Sequence, residues 1–247
     1  MRSYDDVIAN LKWLREVLPS EMIGVKATYR VDEIETLGDD VINLFNLGFP
    51  KVGANIVYED NIDFDAGLIV ARELIKVADY IIDNNLENTH EYFQLTTQDI
   101  DHIRHYNSAL KRNLESSNRV EPDKNYCGSC KYMRCLGFDN LIYGCARFCT
   151  MNKPNMEIGH LEDDRIVITN QKLIDEVINQ YKHTEQDCLD CSIRESCPRC
   201  SAVPYETGIS LDAKDASKGH CGWTHAAAVA RFYMCLKLYR KEHPEVQ

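Results

Sequence analysis

The distribution of cysteine constrains this chain more than any other sequence feature. All eleven cysteines of the 247 residues lie after residue 126, and four of them fall within residues 188–200. Such spacing is typical of chains tied by disulfides or by metal ions. The N-terminus has no apolar stretch of signal-peptide length, so we expect a cytoplasmic, reducing location in which disulfides rarely persist. The second half is therefore predicted to bind metal through thiolates.

The spacing of the 188–200 cluster indicates more than one metal centre. Cys188, Cys191, Cys197 and Cys200 are separated by two, five and two residues. A Cys-x2-Cys pair can turn both thiolates toward one ion, and thiolate ligands indicate zinc or an iron–sulfur cluster. Zinc sites usually separate their ligand pairs by a dozen or more residues, so a gap of five favours sharing between two centres. Further ligands would come from Cys127, Cys130, Cys135, Cys145, Cys149 and Cys221.

The first half alternates helical and strand patterns, which is typical of a parallel α/β layer. The patterns predict helices over residues 5–17, 34–47 and 68–82 and strands over 22–29 and 51–59. The third helix is predicted to turn inward Leu68, Val70, Leu74, Val77, Ala78 and Ile81. Two strands are too few to close a barrel, so this half looks incomplete.

The remaining pattern is sparser. It predicts helices over 97–114, 171–181 and 224–240, a linker over 116–124 and a strand over 164–168. We predict three segments: an α/β unit over 1–86, a helical linker over 87–123 and a cysteine-rich α+β domain over 124–247. The apolar face of the last helix is expected to pack against the cysteine-rich core, with Cys235 as a packed thiol.

Composition excludes two classes of partner. The formal net charge is −11, and no basic stripe offers a surface for nucleic acid. No run of 18 apolar residues offers a membrane span.

The cysteine-rich half resembles a SPASM domain, the extension that follows the barrel in many radical SAM peptide-modifying enzymes. The matching pieces are LIYGCARF (141–148), MEIGHLED (156–163), the 188–200 cluster and Cys221. CSAVPYETG (200–208) and CGWTHAAAVARFY (221–233) resemble the ends of maturases that act on cysteine-repeat peptides. IGVKATYR (23–30), LGFP (47–50) and VGANIVYE (52–59) are similar to the last two β/α units of a radical SAM barrel.

The resemblance implies two auxiliary 4Fe–4S clusters and a ribosomally made precursor peptide as substrate. One cluster would be held by Cys130, Cys135, Cys145 and Cys200. The other would be held by Cys188, Cys191, Cys197 and Cys221. The chain departs from the family pattern because Cys197 and Cys200 are two rather than three residues apart, and because Cys127 and Cys149 are extra. Either extra cysteine could replace Cys130 or Cys145.

The chain lacks the Cys-x3-Cys-x2-Cys motif that holds the SAM-binding cluster of this family. We therefore expect the C-terminal part of such an enzyme, unable to generate a radical alone. S-adenosylmethionine would bind only if a partner, such as a separately encoded N-terminal barrel half, supplied the motif. Whether the chain is an enzyme by itself is left open. The alternatives are a zinc-stabilised binding module and a free-standing iron–sulfur electron carrier.

Overall fold

The structure, a computed structural model, describes residues 4–19, 22–57, 60, 62–92, 95, 127–151, 153–180, 186–194, 197, 200–206 and 221–245. These residues belong to two compact units. The first comprises residues 1–109 and 219–247, and the second comprises residues 110–218. The helix predicted over 97–114 and the linker predicted over 116–124 lie outside the described residues. The segment boundaries at 86 and 123 therefore stay predictions.

The described elements form a mixed α/β chain. In order they are α1 (Tyr4–Val17), β1 (Gly24–Tyr29), a 3-10 helix (Val31–Thr36), α2 (Leu37–Asn46), β2 (Lys51–Ile56), α3 (Phe64–Asp83), β3 (Glu91–Tyr92), β4 (Cys135–Leu136), β5 (Leu141–Tyr143), α4 (Ala146–Thr150), β6 (Glu157–Glu162), β7 (Arg165–Ile168), α5 (Gln171–Ile178), α6 (Gln186–Leu189), α7 (Val203–Glu206) and α8 (Cys221–Glu242). Within the described residues, no helix combines the length and the apolar character that a membrane crossing requires.

The first unit is built on a parallel sheet of order β1-β2-β3. β1 and β2 pair in register from Gly24 opposite Lys51 to Tyr29 opposite Ile56. β3 adds a short parallel pairing to the start of β2. The predicted helix–strand alternation and both predicted strands are confirmed. Within the described residues this sheet is open.

Helix α3 supplies the apolar face that packs with the sheet residues in one core. The Asp63 carboxylate caps its N-terminus by accepting a hydrogen bond from the Ala66 N–H at 2.9 Å. The predicted inward positions after Leu68 are buried and share a core with Val52 and Ala54 of β2. Leu68 itself is 68% exposed, so that prediction is wrong. It lies roughly 100° around the helix from the buried Gly67, which places it beside the exposed Phe64.

The last helix, α8, packs against α3 in the first unit. The two backbones approach closely where Gly67 meets Gly222: a Cβ built on Gly67 would lie 2.8 Å from the Gly222 carbonyl oxygen. The Tyr233 hydroxyl donates to Asp79 at 2.7 Å. The expectation that the apolar face of this helix packs on the cysteine-rich core is wrong. That face, which includes Ala230 and Met234, lies in the core of the first unit.

The second unit contains an antiparallel sheet of order β4-β5-β6-β7. Gly159 of β6 lies opposite Ile168 of β7, and β7 matches the predicted strand over 164–168. Helix α5 presents Leu173, Ile174 and Val177 to the core. The second unit therefore has its own apolar core, built around Ile142, Phe148, Ile158 and these three side chains.

Candidate metal centre

The core of the second unit is lined by cysteines. Cys130 is part of that core and is 1% exposed. Four partly buried thiols pack against the same core, namely Cys135, Cys145, Cys149 and Cys200. Cysteine packs readily as a small apolar side chain, so burial alone does not imply a ligand. The interactions between these thiols are more informative than their burial.

Cys130 is held in an unusual backbone conformation against Gly144. Its φ is +60°, in the left-handed region that costs a residue with a side chain about 1 kcal/mol or more. Its N–H donates to the Gly144 carbonyl oxygen at 3.1 Å. A Cβ built on Gly144 would lie 2.4 Å from the Cys130 sulfur and 3.0 Å from the Ser129 hydroxyl oxygen. Residue 144 must therefore be glycine for the thiol to occupy this position, which gives the YGC tripeptide a physical reason.

Two further thiols, Cys127 and Cys145, interact with Cys130, and Cys127 also interacts with Cys200. Burial raises the pKa of Cys130, and the neighbouring thiols of Cys145 and Cys127 raise it further. Cys127 acts on Cys200 in the same direction. We refer to Cys127, Cys130, Cys145 and Cys200 as the first thiol group. These residues come from three separate segments: the turn before β4, the N-terminus of α4 and the segment just before α7. The fold therefore brings them together.

Donors and positive charges near this group offset part of the rise in pKa that burial causes. Burial raises the pKa of Cys200, whereas the N–H groups of Ala202 and Val203, which donate to its sulfur, and the nearby Arg147 lower it. Arg134 has the same lowering effect on Cys130. Backbone N–H donors and guanidinium groups are suited to an anionic sulfur that binds a metal. The chemistry of the first thiol group therefore fits a thiolate-ligated centre.

Cys135 and Cys149 form a separate pair. Cys135 is the first residue of β4, which is an edge strand, and Cys149 lies in α4, which packs against β4. Burial raises the pKa of Cys149, and the neighbouring Cys135 raises it further.

Three cysteines of the 188–200 cluster follow one another through tight turns. Cys188 lies in α6, and the Cys191 N–H donates to its carbonyl oxygen at 3.3 Å. The Cys197 N–H donates to the Arg194 carbonyl oxygen at 3.2 Å. All three side chains are partly buried. Cys200, the fourth member of the cluster in sequence, instead interacts with Cys127 and Arg147.

The last two cysteines lie in the first unit. Cys221 is the first residue of α8, and Cys235 lies within that helix. Both are partly buried. Cys221 thus belongs to the first unit, whereas Cys188, Cys191 and Cys197, with which the family resemblance groups it, belong to the second.

No disulfide links any of the eleven cysteines. Within the residues that the structure describes, no three His, Cys, Asp or Glu side chains converge closely enough to bind a metal ion. The thiols of the first group are thus neighbours without a preformed coordination geometry. No family model matches the chain, and no curated protein is significantly similar to it.

Sequence reasoning treated Cys127 as an extra cysteine that could replace Cys130 or Cys145. Two residues separate it from Cys130 in a Cys-x2-Cys pair, and that spacing is a signal for a shared ligand set. Sequence reasoning did not identify the N–H donors at Ala202 and Val203, because the side-chain type does not mark a backbone donor.

Proposed function

We propose that this chain is an auxiliary part of a radical SAM enzyme that modifies a ribosomally made peptide, and that it carries two 4Fe–4S clusters. The observation that supports this proposal is the first thiol group: Cys130, Cys145 and Cys200, from three segments, share the core of the second unit, and Cys127 interacts with both Cys130 and Cys200. N–H donors and arginines lie beside these thiols. Where disulfides do not persist, grouped thiols are suited to bind a soft metal ion or an iron–sulfur cluster.

The first cluster is assigned to Cys127, Cys130, Cys145 and Cys200. Three of these ligands are also those that the family resemblance implies, and Cys127 takes the place of Cys135. The reason is that Cys127 interacts with both Cys130 and Cys200, whereas Cys135 is paired with Cys149. The second cluster takes Cys188, Cys191 and Cys197, and the resemblance assigns Cys221 as its fourth ligand.

A 4Fe–4S cluster, when bound, supplies one-electron transfer at a potential that its surroundings tune. The residues of this chain determine those surroundings. Gly144 leaves room for the Cys130 sulfur, the N–H groups of Ala202 and Val203 hold the Cys200 sulfur, and Arg134 and Arg147 offset negative charge. Thiols with raised pKa values release their protons when they bind metal, so assembly is favoured by rising pH.

The first unit suits the same proposal. Its parallel β1–β2 pair shares one core with α2 and α3. This arrangement supports the proposal that the unit is equivalent to the last two β/α units of a radical SAM barrel. Such a layer would continue the sheet of a partner that supplied the SAM-binding motif. The cysteine-rich unit would correspond to the SPASM-like domain.

Metal analysis of protein purified without oxygen tests the proposal. We expect about eight iron and eight sulfide per chain, since two four-thiolate clusters are assigned. Stoichiometric zinc without labile sulfide would contradict it and would support a zinc-stabilised binding module, because zinc accepts the same thiolate ligands.

Serine variants test the ligand assignment. Cys127→Ser is expected to lose about half of the iron, because one of two clusters loses a ligand. Cys135→Ser and the matched control Cys235→Ser, which lies in the first unit, are expected to retain the full iron content. Loss of iron in Cys135→Ser with retention in Cys127→Ser would restore the ligand set of the resemblance.

A further inference from the structure

A small cavity lies in the first unit at the amino ends of β2 and β3. Its volume is about 250 Å³, and its lining includes Lys51 and Glu91, the first residues of these two strands. Ile81, Leu95 and Met234 supply an apolar part of the lining. Pockets for small molecules measure roughly 300–1,000 Å³, so the ligand that fits this cavity is small. Open parallel sheets usually bind their ligands outside the carboxyl ends of the strands, so this cavity is a separate site.

The hydroxyl of Tyr92 is the first unexplained polar group of this lining. Tyr92 is the second residue of β3, and only 1% of it is exposed. Among the described residues, its hydroxyl has no hydrogen-bond partner. Burial of a hydroxyl without a partner is unfavourable, and buried polar groups are nearly always hydrogen-bonded. A ligand in the cavity that hydrogen-bonds to Tyr92 would remove this cost.

The carboxylate of Glu87 is the second such group, and Lys241 holds it in place. The Glu87 Oε1 atom accepts a hydrogen bond from the Lys241 Nζ at 2.7 Å, and the same ammonium donates to Asn85 at 2.8 Å. The Oε2 atom is buried and has no partner in the part of the chain that the structure describes. The bond to Lys241 lowers the pKa of Glu87, so the carboxylate is ionised and can only accept hydrogen bonds. An ammonium group is a strong donor to such an oxygen.

The charges around the cavity balance. Glu87 and Glu91 are negative, whereas Lys51 and the Lys241 that binds Glu87 are positive. His90 also lines the cavity, and burial lowers its pKa, so its ring is neutral at neutral pH. A ligand with one positive group, one negative group and no net charge therefore matches this lining.

We propose that the cavity binds a small aliphatic α-amino acid in its zwitterionic form. The ligand ammonium donates to the Glu87 Oε2 atom, and the ligand carboxylate binds Lys51 and accepts a hydrogen bond from Tyr92. The aliphatic side chain packs against Ile81 and Leu95. This inference goes beyond the proposed function and does not depend on it, because none of the residues that line the cavity is a cysteine.

Calorimetric titration of the purified full chain with L-leucine tests the inference, and we expect one site per chain. Glycine should bind at least about tenfold more weakly, because it buries no apolar side chain. N-acetyl-L-leucine has no ammonium and 3-methylbutylamine has no carboxylate, so each should also bind at least about tenfold more weakly. Absence of saturable binding for both L-leucine and L-valine, or equal binding of 3-methylbutylamine, would overturn the inference.

Tyrosine variants separate a ligand site from a structural role. Tyr92→Phe should weaken L-leucine binding by about threefold to tenfold, because the ligand loses one hydrogen bond. Its melting temperature without ligand should not fall, since the deleted hydroxyl has no partner. The matched control is Tyr80→Phe, which removes a hydroxyl that donates to Asn46 at 2.8 Å outside the cavity. This control should bind L-leucine as the wild-type chain does, and unchanged binding in Tyr92→Phe would contradict the assigned contact.

Carboxylate variants test the site of the ammonium. Glu87→Gln should weaken L-leucine binding at least about tenfold, because the buried acceptor loses its charge. Asp83→Asn is the matched control, since Asp83 also pairs with a lysine of α8, Lys237, at 2.7 Å but does not line the cavity. Equal weakening in both variants would show that the effect comes from the attachment of α8, which would overturn the inference.

Metal analysis of the same samples separates this inference from the proposed function. Binding of L-leucine by a protein that holds zinc and no labile sulfide would support the inference while the proposed function fails. A protein with about eight iron per chain that binds neither L-leucine nor L-valine would overturn the inference and leave the proposed function standing.

Discussion

At the scale of single residues, the candidate centre depends on the contact between Gly144 and Cys130, whose backbone is strained. Gly144 has no Cβ, and the Cys130 sulfur occupies the space where that atom would lie. Cys130 in turn adopts a φ of +60°, which the hydrogen bond from its N–H to Gly144 helps to hold. The two residues are thus coupled, and a change at one is expected to displace the other.

Gly144→Ala should destabilise the second unit by about 1–3 kcal/mol, since an inserted methyl group in a packed site forces neighbouring atoms to move. Urea unfolding of the anaerobically purified variant measures the change. Gly24→Ala is the matched control, because no atom lies within 4 Å of a Cβ built there. Equal loss of stability in the two variants would show that the contact with Cys130 does not cause the destabilisation.

At the scale of elements, the contact between α3 and α8 organises the first unit. It combines a close backbone approach at Gly67 and Gly222 with a polar cluster in which Tyr233 and Lys237 bind Asp79. Farther along α8, Lys241 binds Glu87 at 2.7 Å and the Ile82 carbonyl oxygen at 3.1 Å. Steric fit and charge therefore fix the same helix pair at separate points.

Gly67→Ala is expected to weaken this helix pair. Alanine gains about 1 kcal/mol in helix propensity over glycine, but its Cβ would lie 2.8 Å from the Gly222 carbonyl oxygen. We expect a net loss of about 1–2 kcal/mol in thermal or urea unfolding, because backbone atoms cannot move aside as a flexible side chain does. Val229→Ala, on an exposed part of α8, should change stability by less than about 0.5 kcal/mol. A more stable Gly67→Ala variant would contradict the close approach.

The Tyr233–Asp79 hydrogen bond predicts a dependence of stability on alkaline pH. This bond raises the pKa of Tyr233 above its unfolded value of about 10. The folded state therefore keeps the proton where the unfolded chain releases it. The contribution of the bond is complete below about pH 10 and is lost as the pH rises through the folded-state pKa.

Comparison of wild type with Tyr233→Phe checks this dependence. The variant should be less stable by about 1 kcal/mol near neutral pH, because it lacks the hydrogen bond to the carboxylate. The difference should shrink as the pH rises above about 10, since only the wild type loses the contribution. Lys237 also binds Asp79 and is present in both proteins, so its own titration affects both. A difference that grows with alkaline pH would show that the sign is wrong.

At the scale of the whole molecule, two units of different character share one chain. The first has a core of aliphatic and aromatic side chains around a parallel sheet. The second has a smaller core in which cysteines take part, and ligand binding is expected to add to its stability. All cysteines of the first unit lie in α8.

The isolated chain should not cleave S-adenosylmethionine reductively. Its 247 residues contain no Cys-x3-Cys-x2-Cys motif to hold a cluster with an open iron site. Incubation of the reconstituted protein with S-adenosylmethionine and a strong reductant checks this, with 5′-deoxyadenosine as the product measured against a protein-free control. Product above that control would mean that another set of cysteines provides the site.

The sequence by itself determined the elements. The period of apolar residues predicted α1, α3, α5 and α8 and both long parallel strands. A helix or strand buries one face, and the apolar residues of that face recur at a fixed spacing along the sequence. The Cys-x2-Cys spacings likewise predicted turns that carry thiols, and the structure has such turns at Cys188 and Cys191. Leu68 shows the limit of this reasoning, since an apolar residue at the edge of a stripe can face either way.

Only the tertiary structure decided which elements and which thiols meet. The pairing of α8 with α3 depends on Gly67 and Gly222, two small residues far apart in sequence whose fit has no local signature. The division of the cysteines into the first thiol group and the Cys135–Cys149 pair follows from the packing of α4 on β4 and from the position of Cys200 before α7. Spacing along the chain limits which thiols can share a turn, but contacts between distant segments are set by the packing of the core, and that is a property of the folded chain as a whole.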